Sequence, residues 1–506
     1  MPVGEIVKRI FTTDYENAQK VIARTWLDTL EASDKADRDY AQRLLDWYNR
    51  DKDEIKKYMQ DLAVKTFANE VREQWHFPVI NGVPRTIKRL SQAYREPPER
   101  ELLDAEGEVI PRSKTDMYDQ LKRLYEQFDP NSKLKDLDRY GTLLNTVHFE
   151  VVPRGKGIDW DIRLRPKVTV LQDPDNYLDF SKFAHYWAAV DPDSETLKKF
   201  TGWVYWTEDE HYLIRQDKVF VGMTMPDGSN PYRDGEGAPV IPIVTLRKIE
   251  QDDYWGNFGA DMVSAMEFAN LQLANLYETG LIQTRGIPLL INCGMKSGNV
   301  ITLGPRDPIA VDNVTKDDIA PDVRFVSPDP DIKEVMDFVD WLVKEIGATY
   351  GLPASAWSLE EKRMSGYAKY LDNLELLEGR EDEIDMWAAI EADAFEKSRV
   401  VYNTWAKQWG AKPIDEELSL KVTFPKTKFP ESPKEKAERL AAEFAAGLSS
   451  PVDYFMEEEG LDEEAALEKA LKIAKHNAEI KRAGPAQALR EQFGNGSLPP
   501  ELTGEE

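Results

Sequence analysis

The stretch "DIKEVMDFVDWLVKEIGATYGL", Asp331 to Leu352, decides how the rest of the chain is read. Ile332, Val335, Met336, Val339, Leu342, Val343 and Ile346 recur at i, i+3, i+4 and i+7, the period of one helix face, with charged residues between them. Asp331 is the expected N-cap, and Gly351-Leu352-Pro353 the stop. Upstream, "WGNFGADMVSAMEFANLQLANLYE" repeats the pattern with Met262, Met266, Ala269, Leu273 and Leu276, and is expected to stop at Gly280. Between the two helices, residues 285–330 hold short strand signals punctuated by Gly and Pro. Downstream, "SLEEKRMSGYAKYLDNLELLE" begins at Ser358 with Glu360, Glu361, Lys362 and Arg363, then passes through Met364-Ser365-Gly366. A helical pattern follows to Trp409, with Leu371, Leu374, Leu377, Ile384 and Trp387 in phase.

The expected fold class is α+β. Around the central stretch, the N-terminal part is helical in pattern: Tyr40, Leu44, Leu45, Trp47 and Tyr48 stand near helical spacing. "NGVPRTIKRLSQAYREPPE" gives a turn, a helix and a stop at Pro97-Pro98, and a further helix is expected from about Asp116 to Phe128. Strand signals begin at Leu143. "LLNTVHFEVVP" and "WDIRLRPKVTVL" flank Arg154-Gly155-Lys156-Gly157, which reads as a hairpin. "TGWVYWTEDEHYLIRQDKVFVGMTM" adds aromatic and β-branched strands, and "GSNPYRDGEGAPVIPIVTL" is a loop feeding one more. "LSLKVTFP", from Leu418, reads as a lone strand. Three short helices follow before a Gly- and Pro-rich tail beginning near Ala483, expected to be disordered.

Composition narrows the function. At 506 residues the chain is too long for one ordinary core. With 41% apolar residues, 13 Trp, 20 Tyr and 19 Phe, it is a folded chain. A net charge of −27 makes the surface as a whole repel nucleic acid and anionic membranes. The single Cys293 excludes a disulfide framework within one chain and fits a reducing cytoplasm. No signal-peptide pattern and no spanning-length apolar run is visible, so no membrane partner is expected.

Catalytic motifs are missing. Met295-Lys296-Ser297 suggests a phosphate loop only faintly, because Leu289 and Leu290 stand where its first glycine is required. His76, His148, His185, His211 and His476 are scattered, so a histidine metal site would need long-range convergence. "WDIRL" and "EDEID" offer carboxylates for a glycosidase pair, but 92 acidic residues make such neighbours commonplace. No catalytic residue, metal site or cofactor is expected. One reading left open is a monomeric acidic enzyme such as a glycoside hydrolase; another is a structural protein with helical ends.

The ordered succession resembles a tailed-bacteriophage portal protein, the ring at one capsid vertex through which DNA passes. The resemblance is carried by "GVPRTIKRLSQAYREPPE", the Leu164-Arg165-Pro166 turn, "APVIPIVTLRK" before the first amphipathic helix, the helix–β-module–helix order, the Ser365-Gly366-Tyr367-Ala368 step and "SPKEKAERLAAEFAAGLSSPVDYFMEEEGLDEEAALEK". It implies that residues 1–142 form the helical part of a wing, 143–257 its β-rich part, 258–284 a first stem helix and 285–330 a clip. Residues 331–352 would be the second stem helix, 353–366 a channel loop, 367–430 a long helix with a return strand, 431–483 a crown, and 484–506 a tail. Glu360, Glu361, Lys362, Arg363, Met364, Ser365 and Gly366 would form the channel loop, with Lys362, Arg363 and Lys369 as candidate DNA contacts. By spacing alone the same loop reads as a solvated helix–helix linker, and those cations serve equally as i,i+4 partners of nearby glutamates. Lys296, Arg306 and Lys316 would lie in the clip, facing either the packaging motor or the channel.

The partners the family implies are other copies of the chain, double-stranded DNA, the terminase motor, the major capsid protein, a scaffold and head–tail adaptors. Its implied location is the virion, after assembly in the host cytoplasm. A twelve-subunit ring, the number the family implies, carries roughly −320 charges (12 × −27), so a conduit of this kind would not grip phosphates. The amphipathic stripes fit a ring and a monomeric helical core alike.

Overall fold

The computed structural model describes residues 25, 34–66, 77, 79–190, 199–215, 220–250, 254–256, 259–285, 287–291, 293–294, 312–313, 322–326, 332–352, 374–425, 433–447, 449–459 and 463–483. The chain is α+β. Beyond Thr25, itself helical, the described residues begin with two antiparallel helices, α1 (Lys35–Asn49) and α2 (Lys52–Thr66), burying Leu44, Leu45 and Trp47 from one and Ile55 and Met59 from the other. Helix α3 (Val83–Leu90) follows, with Pro84 in its first turn, where a missing N–H is harmless.

Two differences from the sequence reading come next. Strand β1 (Glu99–Leu103) pairs antiparallel with a strand near the other end of the chain, Ser419–Thr423, so the expected lone strand has a partner. The helix expected to reach Phe128 ends at Leu124 (α4, Thr115–Leu124), and a separate α5 (Pro130–Leu144) follows. Asp129 caps α5 by accepting from the N–H groups of Asn131 and Ser132.

Two sheets form the centre. Strands β2 (Thr146–Arg154) and β3 (Gly157–Arg163) make the expected hairpin, turning at Gly155 with φ +61°. After β4 (Val168–Gln172), β5 (Phe180–Val190), β6 (Lys199–Trp206), β7 (His211–Arg215) and β8 (Phe220–Gly222) comes β9 (Ile243–Arg247). The sheet orders are β3-β2-β9 and β4-β5-β6-β7-β8. The first sheet turns Val147, Phe149 and Val151 into the main core.

Against that core lies the longest helix of the described residues, Leu374–Trp409, roughly 54 Å at 1.5 Å per residue. It buries Trp387, Ala394, Phe395, Val401 and Tyr402, and also charges. Glu391 accepts from the Tyr94 hydroxyl (2.7 Å) and from Arg100 Nε (2.6 Å), while Arg380 donates to the carbonyls of Gln92 and Pro425. Glu383 meets the ammonium of Lys248 at 2.5 Å, and that ammonium also meets Asp138 of α5 at 2.5 Å and lies over the Trp387 ring. The C-terminal helices Pro433–Ala446, Pro451–Glu459 and Glu463–Ala483 belong to a second compact unit. In it, Ser450 and Asp453 cap the middle helix reciprocally, and Lys469 lies over Phe455.

The Lys248 side chain is 3% exposed and Asp138 1%. Removing the ammonium leaves a buried carboxylate without a counter-charge, which destabilises by about 3–5 kcal/mol. Lys248→Ala is expected to lower the unfolding free energy in urea by that amount. A loss below about 1 kcal/mol would show that the clamp does not tie the long helix to the sheet.

Candidate functional site

The helices flanking the β-module form an antiparallel arm rooted in the core. Helix α6 (Ala260–Arg285) begins where the Gly259 N–H meets the Leu143 carbonyl at 2.9 Å, so close that a Cβ at 259 would sit 2.7 Å from that oxygen. Its first half buries Met262, Val263, Met266, Leu271 and Ala274. Buried Glu267 accepts from Arg43 Nε (2.6 Å) and Trp47 Nε1 (2.9 Å), and Asn270 bonds both the N–H and the carbonyl of Ile80. The helix does not stop at Gly280; a glycine with open space around it costs an α-helix about 1 kcal/mol but does not end it.

Strand β10 (Ile287–Ile291) continues from α6 and pairs antiparallel with β13 (Asp322–Val326), while the short β11 (Cys293–Gly294) pairs with β12 (Asp312–Asn313). Helix α7 (Ile332–Thr349) returns beside α6: Phe338 meets Phe268 edge-on, and Tyr350 takes a backbone hydrogen bond from Met262. Gly351, at φ +62°, ends α7. The Gly351 N–H bonds the Ala348 carbonyl and the Leu352 N–H bonds that of Gly347, a Schellman closure with Leu352 buried beneath it.

Helix α7 has more apolar surface than α6 covers. Val335, Val339, Leu342, Val343 and Ile346 form the part-buried to buried stripe. Ile332 and Met336 lie to one side of it, and Phe338 and Trp341 to the other, at ~100° per residue. All four are exposed, Met336 by 51% and Trp341 by 54%, and Phe268 of α6 adjoins the Phe338 side at 42%. A monomeric core leaves no large aromatic patch of this kind in water; such patches mark interaction sites.

The residues predicted from sequence as the site lie outside the described residues: Glu360, Glu361, Lys362, Arg363, Met364, Ser365, Gly366 and Lys369, and likewise Lys296, Arg306 and Lys316. So do the N-cap Asp331 and the tail from residue 484.

What the sequence reading missed is a polar layer between the two sheets. His185 and His211 do converge there on Glu150, while His148 meets the Tyr254 hydroxyl instead, at 2.8 Å. His148 and Glu150 share one face of β2 as i and i+2, the one local hint. The Glu150 carboxylate accepts from Arg163 Nε (2.9 Å) and Nη2 (2.6 Å) and from Trp206 Nε1 (3.0 Å), with His185 Nε2 at 3.2 Å. A cavity of about 640 Å³ opens above it, walled by Asp161, Trp187, Trp405 and Trp409.

The arrangement looks catalytic, but the contacts of its carboxylates are those of structural ion pairs. Burial works to raise the Glu150 pKa, but the contacts with the His185 ring and the Arg163 guanidinium outweigh it and hold the carboxyl well below the usual range. It therefore stays ionised and cannot be the protonated acid that glycoside hydrolysis requires. Asp161, which "WDIRL" offered for that role, is gripped by Arg154 at 2.9 and 3.1 Å. Among the described residues no group of three or more His, Cys, Asp or Glu side chains is arranged to hold a metal, and no helix is long and apolar enough to cross a membrane.

No protein family and no curated protein matches the sequence. Solved structures similar to the chain include one from the virion of a native gene transfer agent particle, 14% identical, covering 79% of this chain and 98% of that one at a TM-score of 0.39. Two others come from the necks of such particles. One is from an empty particle treated with sixfold symmetry (14% identity, 74% and 89% coverage, TM-score 0.38) and one from a native particle treated with twelvefold symmetry (15%, 74% and 89%, 0.38). At these TM-scores the likeness assigns no function.

Burial first, and then Arg247 and Arg165, holds His148 down to about 3; burial, against the attraction of Glu150, does the same to His211. In the unfolded chain both would titrate near 6.5, so the unfolded state takes up protons that the folded state refuses. Stability is then full above about pH 6.5 and falls as the pH drops toward 3, with each histidine approaching ~1.4 kcal/mol per pH unit. Loss of the Glu150 contribution adds to this below its ordinary range near 4.5. Melting temperatures are expected to fall steadily from pH 7 to pH 5, less so in His148→Gln or His211→Gln. A flat profile for the parent chain would refute the neutral buried pair.

Proposed function

We propose that the chain is a portal-type subunit, forming a ring at one capsid vertex that conducts double-stranded DNA during packaging and ejection. The observation that carries this reading is the arm: two helices rooted in the core, joined through a β-module, with apolar flanks left in water on both sides of α7. A monomer gains nothing from Phe338 and Trp341 at the surface, whereas a subunit with a neighbour on each side buries both flanks. The Schellman stop at Gly351 ends α7 before the charged segment, in sequence, that the reading places in the channel. The β-module would dock the terminase motor and later the head–tail adaptors, and the wing would meet capsid protein and scaffold. The role is structural. The hydrolase alternative lacks its acid, since Glu150 is held ionised.

Native mass tests the reading. The chain is expected to assemble into a closed particle near twelve times 57.9 kDa, with a central hole by electron microscopy. Trp341→Glu is expected to reduce it to monomers while leaving the monomer's melting temperature within a few degrees, since exposed positions change stability by about 0.5 kcal/mol or less. A parent chain that remains monomeric at high concentration and in the presence of scaffold would overturn the proposal, as would an undiminished ring in the variant.

A further inference from the structure

The cleft above Glu150 has walls that the packing of the two sheets does not require. It lies wholly within the main unit, and its volume of about 640 Å³ falls in the ~300–1,000 Å³ range of small-ligand sites. The long helix presents Trp405, Gln408 and Trp409 to it, at i, i+3 and i+4 and so on one face. Trp187 of β5 lines it as well. All three indoles are half-buried. Two of them are fixed in place: Trp405 Nε1 donates to the Tyr232 hydroxyl at 3.3 Å, and Trp409 packs edge-on to Tyr402 with ring centroids 5.5 Å apart. Held indoles lining a concave site offer flat stacking surfaces.

The floor is polar, and its charges are already matched. The charged side chains lining it are Glu150, Asp161 and Arg163, beside His185 and His211. Arg163 donates to both carboxylates and Arg154 also holds Asp161, so each carboxylate has a guanidinium. Hydrogen-bonding capacity is left over. Glu150 Oε1, bonded by Trp206 Nε1, has a second lone pair. His211, 6% exposed and stacked on Trp206, spends its Nδ1 on the Thr224 hydroxyl, and its buried Nε2 has no hydrogen-bond partner. Its ring is neutral at pH 7, so Nε2 is a donor in one tautomer and an acceptor in the other. A hydroxyl group both donates and accepts, and satisfies either.

We propose that this cleft binds a short, uncharged saccharide, which stacks a ring face on Trp405 or Trp409 and brings its hydroxyls to Glu150, Asp161 and His211 Nε2. A sugar ring has apolar C–H faces and a rim of hydroxyls, which is the complement of indole walls above a floor of paired charges. An organic cation would suit the indoles but needs a carboxylate free of its guanidinium. An anion would meet Glu150 and Asp161. An apolar molecule would leave His211 Nε2 and the carboxylate lone pairs unmet. The saccharide is held and not cleaved, because Glu150 stays ionised and supplies no acid. The site is built within one copy of the chain, so it stands or falls separately from the ring.

The test titrates maltotriose, cellotriose and triacetylchitotriose into the full-length chain by calorimetry, beside spermidine and a decaproline peptide, which would use the same aromatic walls. At least one trisaccharide is expected to bind saturably with a Kd below about 1 mM. Trp409→Ala is expected to weaken that binding by about tenfold, and Trp341→Ala, on the arm, to leave it unchanged. Because Trp409→Ala also removes packing, hydroxyl-radical footprinting of the parent chain supplies a check without substitution: the bound sugar is expected to protect Trp405 and Trp409 from oxidation and not Trp341. Absence of binding by all three sugars would overturn the inference, as would binding of spermidine or decaproline alone. Sugar binding that leaves Trp405 and Trp409 unprotected would place the site elsewhere and overturn it too.

Discussion

One buried ammonium holds the main body together. Lys248, at the end of the strand that completes the three-stranded sheet, reaches Asp138 on one helix and Glu383 on the long helix and lies over Trp387. An isolated buried charge is untenable, so each of the three groups requires the other two in place. With Glu391 gripped by Arg100 and Tyr94, and Arg380 by two backbone carbonyls, the long helix can dock in one register only. Apolar packing of Phe395, Val401 and Tyr402 supplies the driving force, and the charged contacts decide where it acts.

That fixed body gives the arm its direction. Helix α6 cannot pivot at its root, because Glu267 and Asn270 tie it to α1 and to the backbone at Ile80, and Gly259 lets it start against Leu143. Helix α7 is held only by its stripe and by its closure at Gly351. The rest of its apolar surface has nothing to pack against within the described residues. A chain that buries Trp47, Trp160, Trp206 and Trp387 completely, yet leaves Trp341 half in water, is under no general constraint that exposes aromatics. The exposure is local to this arm, and the proposed ring would cover it.

The polar layer between the sheets shows how buried charged groups are satisfied inside a β-rich core. Two sheets whose facing sides carry a glutamate, arginines and histidines must satisfy them internally, and Arg163, His185 and Trp206 do so for Glu150. Arg163 and Trp206 donate directly to the carboxylate, and His185 lies 3.2 Å from it. A perturbed pKa in a cleft is often a sign of catalysis, but here the shift runs in the direction of a structural ion pair.

The sequence by itself determined the elements whose residues repeat with a regular period. The two arm helices, the hairpin at Gly155, the β-rich middle and the C-terminal helices were legible because apolar spacing and turn chemistry are local properties. Helix α5 was also legible in principle, since Asp129-Pro130 is a cap followed by a first-turn proline. Strand β1 was not: "ERELL" has three charges in five residues and becomes a strand only because Ser419–Thr423 lies beside it. The convergence of His185 and His211 on Glu150, the clamp at Lys248 and the bare flanks of α7 belong equally to tertiary structure. Sequence spacing shows which residues share a face, but whether a face is covered, and by which distant charge, depends on contacts between residues tens to more than a hundred positions apart.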